Sequence, residues 1–120
     1  MTLAPAGPDP RPKLEDGRVV GVRCDACGHT SASIDRRCRR CAGSVRPARF
    51  GPDGAVWASA AVHLAVDHRE PPFTLAYVDL DHGPRILTLV DTGAELDVGT
   101  RVRIAGAVAG DIVVGVIADD

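Results

Sequence analysis

The stretch CDACGHTSASIDRRCRRC, residues 24 to 41, holds two CxxC pairs separated by ten residues, and these four cysteines constrain the fold more than anything else in the chain. Each CxxC folds into a tight knuckle that presents two thiolates. Two knuckles face to face supply the tetrahedral S4 set that zinc prefers. Cys24, Cys27, Cys38 and Cys41 are therefore the expected metal ligands, and Zn2+ the expected structural cofactor. Four protein ligands close the coordination shell and leave no position for a catalytic water. A rubredoxin uses the same four sulfurs for iron, so the motif alone does not choose the metal. Gly28, directly after the first knuckle, is expected at positive φ so that backbone N–H groups reach sulfur. The second knuckle is less regular, with Ala42 next and Gly43 one step later. His29 reads as a loop residue, since four thiolates already fill the site.

Compartment supports metal over disulfide. No apolar run approaches the ~18 to 20 residues that span a bilayer, and MTLAPAGPDPRPK lacks the apolar core of a signal peptide. A cytoplasmic location is expected, where thiols stay reduced.

At 120 residues the chain suits one small module joined to one modest domain. Prolines at 5, 8, 10 and 12 deny regular structure to the start, so residues 1–15 are expected to form a flexible tail. A short strand in DGRVVGVRC should deliver Cys24, and a second, from Ser44 to Arg46, should complete a rubredoxin-like zinc ribbon over residues 16–47. A GPDG turn follows at Gly51 to Gly54.

Residues 48–120 carry a different pattern, long β-type runs between turn signals. AVWASAAVHLAV (55–66) alternates, with Val56, Ala58, Ala60, Val62, Leu64 and Val66 on one face. FTLAYVDL (73–80) and RILTLV (85–90) flank HGP, with Gly83 expected in a hairpin turn. RVRIAGAVAG (101–110) and DIVVGVIA (111–118) follow a loop with a turn at Gly99, and Gly106, Gly110 and Gly115 are placed where barrel strands bend or bulge. Five strands in about 65 residues without helical periodicity predict an all-β chain ending in a five-stranded OB-fold barrel.

Charge is divided unevenly. Residues 1–50 hold ten Lys/Arg against five Asp/Glu, net +5, while residues 51–120 hold four against eleven, net -7. Arg36, Arg37, Arg39 and Arg40 beside the cysteines make single-stranded nucleic acid the first alternative partner. Only Trp57, Phe73 and Tyr77 supply aromatic rings to the acidic half, which opposes a phosphate-binding groove. No GxSxG elbow or phosphate loop occurs. His63, His68 and His82 lie near Asp67, Asp79, Asp81 and Asp91, in clusters expected to be polar loop residues, so independent enzymatic activity is not expected.

The order DGRVVGVRCDACG, CRRCAGS, GPDGAVWASAAVH, PPFTLAYVDLDHGPRILTLV and LDVGTRVRI resembles the zinc-ribbon plus OB-fold acyl-CoA-associated proteins, long catalogued as a domain of unknown function. The resemblance spans roughly residues 16 to 105, and its discriminating part is Gly54 to His63 and Pro71 to Arg85. It implies an accessory subunit in a hetero-oligomer with a thiolase-fold enzyme: a thiolase, a lipid-transfer-protein-like aldolase of steroid side-chain degradation, or an acyltransferase. Such a subunit is thought to stabilise the partner and help hold the acyl-CoA. The four arginines then become candidate contacts to the partner or to CoA phosphates, which favour Arg forks. The chain departs from its relatives where they carry Phe-Pro-Pro-Arg, having Ala32, Ser33, Ile34 and Asp35 there, and it has Arg39 where they have proline. A proline-rich tail replaces the amphipathic helix that often precedes the ribbon.

Overall fold

The computed structural model describes residues 11–64 and 70–117. His68 and Asp67 lie outside them, as does most of the VDHRE cluster. Nine strands and no helix occur among the described residues, so no helix there is long and apolar enough to cross a membrane.

The first four strands form one antiparallel sheet: β1 (Leu14–Glu15), β2 (Arg18–Cys24), β3 (Thr30–Ser31) and β4 (Val45–Phe50). β2 is central, pairing with β1 and β3 along one edge and with β4 along the other. Asp16 and Gly17, both at positive φ, make the turn between β1 and β2, so Leu14 and Glu15, assigned to the tail from sequence, pair with Val19 and Arg18. β4 runs four residues past Arg46, because Pro47 sits in an edge strand, where a missing N–H is tolerated.

The remaining strands are β5 (Asp53–Val62), β6 (Phe73–Leu80), β7 (Arg85–Val90), β8 (Arg101–Val108) and β9 (Asp111–Val116). They close into a barrel in the order β5-β6-β7-β9-β8, all antiparallel except the β7–β9 pair. This is the five-stranded OB-fold expected from the run of short strands. Val56, Val78, Ile86, Val102 and Val114 fill its interior.

β5 departs from simple alternation. A bulge at Trp57 shifts the register, so Val56 lies opposite Val78 while Ala58 lies opposite Tyr77. The expected single face is thereby split: Val56 is buried, whereas Ala58 and Ala60 oppose the outward Tyr77 and Leu75. The strand also stops at Val62, short of the expected residue 66. A second bulge falls at Ala105, next to Gly106, and Ala109 and Gly110, both at positive φ, turn β8 into β9.

The two parts share one core. Val19 of β2 and Phe50 of β4 belong to the same buried cluster as the barrel valines. Arg23 Nη2 donates to the His82 carbonyl at 2.8 Å, and its guanidinium lies 5.7 Å from the centre of the Phe50 ring. In the β6–β7 turn the positive φ belongs to His82, not to Gly83. Gly83 serves close approach, because a Cβ there would stand 2.8 Å from Phe50 Cδ1.

Candidate metal centre

β2 ends on Cys24, and the chain turns back at once. The Cys24 N–H donates to the His29 carbonyl at 2.8 Å, and the Gly28 N–H donates to the Cys24 carbonyl at 3.1 Å. The second knuckle repeats both bonds at the same spacing: Cys38 N–H to the Gly43 carbonyl at 3.0 Å, and Ala42 N–H to the Cys38 carbonyl at 2.8 Å. Gly28 and Ala42 occupy equivalent places, with φ of 77° and 63°. Ala42 accepts the left-handed conformation because the following position needs the glycine more. A Cβ on Gly43 would lie 3.1 Å from Cys41 Sγ and 3.3 Å from Cys24 Sγ, in the space the sulfurs fill.

The two knuckles bring all four Sγ atoms within 4.8 Å of one another, an arrangement that could hold a metal ion. Cys24 and Cys41 sulfurs are 3.5 Å apart, and those of Cys27 and Cys38 are 3.6 Å apart. A tetrahedron with metal–sulfur bonds of about 2.3 Å has edges near ~3.8 Å, so the donor set fits a tetrahedral thiolate ion. Cys24 and Cys38 are buried while Cys27 and Cys41 face solvent, which places the cluster at the ribbon tip.

Backbone N–H groups point at the sulfurs: Ala26 and Cys27 to Cys24 Sγ at 3.3 and 3.4 Å, and Arg40 to Cys38 Sγ at 3.3 Å. The Cys27 N–H pulls the Cys24 thiol down to about 6, with Ala26 helping, against burial that raises it. Cys41 goes the other way, up to about 12: the Gly43 N–H favours its ionised form, but hydrogen bonds with Cys24 and Cys27 and burial outweigh that. The first thiolate forms easily and the last only beside a compensating cation.

The four arginines are exposed around this cluster but are not equivalent. Arg39 Nε pairs with Asp35 at 3.1 Å, and Arg37 Nη1 donates to the Ala42 carbonyl at 3.2 Å. Arg36 and Arg40 side chains make no hydrogen bond or ion pair among the described residues. Asp35 also accepts from Ser33 Oγ at 3.1 Å, which stiffens the loop that carries the exposed Ile34.

The barrel carboxylates are engaged elsewhere. Asp79 is bound by Arg85, Asp81 by Arg101 and Asp53 by Arg103, each through two nitrogens. The hydrogen bond from Arg101 lowers the Asp81 carboxyl, and that from Arg103 lowers Asp53, so both stay ionised at neutral pH. All three pairs brace neighbouring strands or turns of the barrel. His63 is exposed at the end of β5, and His82 contributes its carbonyl to Arg23. Sequence reasoning missed the outward Trp57–Tyr77 pair, whose rings stand 6.0 Å apart at 77°. Its signal was present in an alternation that puts Trp57 opposite to Val56.

No curated protein matches the chain. A solved structure described as an Ltp2-ChsH2(DUF35) aldolase is similar to it, with a TM-score of 0.65 and 22% identity over 82% of this chain and 84% of that one. That likeness is one of fold. The family described as "ChsH2, C-terminal OB-fold domain" matches residues 48–107, half of the sequence, from the last strand of the ribbon sheet to the end of β8. The chain belongs to the ChsH2 C-terminal OB-fold domain family.

Proposed function

We propose that this chain is a non-catalytic, cytoplasmic accessory subunit of a thiolase-fold acyl-CoA enzyme, a thiolase, steroid side-chain aldolase or acyltransferase, which stabilises its partner and helps hold the acyl-CoA substrate. The family match over residues 48–107 carries the reading. A similar chain occurs in a structure whose description joins ChsH2 to Ltp2 in an aldolase, which supports a second protein as the seat of the chemistry. In this reading the four-stranded sheet that ends at Phe50 and the barrel that begins at Asp53 take separate tasks, metal-braced contact and scaffold.

In this reading Cys24, Cys27, Cys38 and Cys41 hold a structural Zn2+, which ties the two knuckles together and performs no reaction step. Arg36, Arg37, Arg39 and Arg40 face the partner or the CoA phosphates. Arg36 and Arg40 are the better placed for a phosphate, because the other two already spend donors on Asp35 and the Ala42 carbonyl.

A single-stranded nucleic acid is the second reading, favoured by the exposed Trp57–Tyr77 pair on the barrel. Against it, Arg85, Arg101 and Arg103 are each occupied by an aspartate, so these barrel cations have little left for phosphates.

Co-expression with thiolase-fold proteins encoded beside it, followed by pulldown, tests the reading. A stoichiometric complex supports it. No complex, together with salt-sensitive binding to single-stranded DNA or RNA, overturns it in favour of nucleic acid.

A further inference from the structure

The outer face of β5, β6 and β7 is apolar where a solvated strand face ordinarily carries polar side chains. Trp57, Tyr77 and Leu87, on these three adjacent strands, are 48%, 44% and 46% exposed. With Leu75 and Ala60 they line a groove of about 350 Å³. The bulge between Val56 and Ala58 turns Trp57 out to this face, in the way bulges re-aim side chains beside functional sites. Its ring is then held twice over: Tyr77 stands edge to face with it at 6.0 Å, and the Arg85 guanidinium lies 3.8 Å from its centre. Arg85 is itself fixed, since Nε and Nη2 donate to Asp79 at 2.7 and 3.2 Å. Tryptophan, tyrosine and arginine preorganised in this way have the composition of a protein-binding hot spot.

Leu75 and Leu87 continue the strip into a second hollow of about 170 Å³ that reaches Ile112 on β9. From β5 across β6 and β7 to β9 are three strand spacings of about 4.8 Å, or roughly 14 Å, room for one helix of about 10 to 12 Å across. Strand addition is closed off at the Trp57 end, because a loop is tied along the edge of β5. The Ala61 N–H donates to Glu95 Oε1 at 3.2 Å, and the Ser59 hydroxyl donates to the Leu96 carbonyl and accepts from the Leu96 N–H, each at 2.8 Å. An occupant therefore packs side chains on the face. Charge decides what kind. Residues 51–120 hold four Lys/Arg against eleven Asp/Glu, so the barrel of a second copy is repelled. Arg85, Arg101 and Arg103 are each spent on an aspartate, so a nucleic-acid backbone meets no unspent barrel cation among the described residues. The complementary surface is an apolar one edged with Lys or Arg.

We infer that the groove seats one amphipathic helix of a second protein, its apolar side against Trp57, Tyr77, Leu75 and Leu87 and its Lys and Arg flanks toward the acidic barrel. The helix belongs to the thiolase-fold protein, which makes this seat dependent on the partner reading above and adds the barrel to the ribbon arginines as a contact.

Trp57 is the only tryptophan, so the full chain labelled with fluorotryptophan gives one fluorine resonance, from the groove itself. Adding the unlabelled thiolase-fold protein encoded beside the chain is expected to shift that resonance. Leu87→Glu is expected to weaken recovery of that protein about tenfold or more, and Tyr77→Ala by less, with zinc content and far-UV circular dichroism unchanged. The loss in Tyr77→Ala should persist at high salt, unlike that caused by Arg36→Glu with Arg40→Glu. A complex that forms with the resonance unmoved and with full recovery of both variants overturns the helix seat and leaves the partner reading standing. No complex with the wild-type chain overturns both. A resonance that moves with the concentration of the chain alone assigns the groove to a second copy, and one that moves only with single-stranded DNA assigns it to nucleic acid; either result overturns the helix seat.

Discussion

Gly83 leaves no room for a side chain against Phe50: a Cβ there would stand 2.8 to 2.9 Å from three Phe50 atoms. Gly83→Ala is therefore expected to cost ~1 to 3 kcal/mol, the usual penalty for overpacking. Phe50→Ala empties a site that is 3% exposed and should cost about 3 to 5 kcal/mol. Urea unfolding followed separately by tryptophan emission and by metal release checks both. Since Phe50 is shared by ribbon and barrel, the two probes should shift together.

The cysteine cluster predicts one metal ion per chain. Cys38→Ser is expected to abolish stoichiometric zinc in elemental analysis, and cobalt replacement in wild type should give the visible bands of a tetrahedral thiolate site. Tightly bound iron with a reversible redox signal would remove the structural-zinc assignment. Acidification should release the ion, because the ligands must be deprotonated to bind it.

The aspartates paired with arginine set an acid limit on stability. Asp53 and Asp81 have folded pKa values depressed by Arg103 and Arg101. Their contribution is fully present above the unfolded value of about 3.9 and is lost as pH falls through the lower folded values. Asp81→Asn should lower stability at neutral pH and flatten its loss below pH ~4, measured by thermal melts across pH.

Arg36 and Arg40, without partners among the described residues, should matter most for association. Arg36→Glu with Arg40→Glu is expected to weaken recovery of the proposed thiolase-fold partner while metal content stays the same. Arg37→Glu should act less cleanly, since it also removes the donor to the Ala42 carbonyl. Association unchanged in the double variant would sink the docking role of these arginines.

How much of this was legible follows from where the determinants lie. β6 and β7 were bounded to the residue, because dense β-type runs meet the EPP and HGP breaks on either side. The cysteine spacing likewise named all four clustered sulfurs. The bulge at Trp57 was hidden by alanines, which fit either face of a strand and so carry no phase. Gly83 is legible as a turn residue and lies in the β6–β7 turn, but its intolerance of a side chain is set by Phe50, more than thirty positions away, a contact local patterns cannot contain. β1 and β3 have two residues each, too few for any period, and exist because β2 offers them an edge. The Ala42 and Gly43 order was legible only as an irregularity, since its reason is a sulfur contact in three dimensions.

β4 has a consequence for the chain before it meets any partner. It pairs with β2 on one side and with no strand among the described residues on the other, which leaves an open row of backbone groups. Such rows recruit strands from neighbouring molecules and seed aggregates. Pro47 interrupts the row with a residue that has no N–H to give, and Arg46 and Arg49 add exposed charge on either side of it. The free chain is thereby guarded against sticking to copies of itself, and Pro47→Val is the change expected to remove that guard.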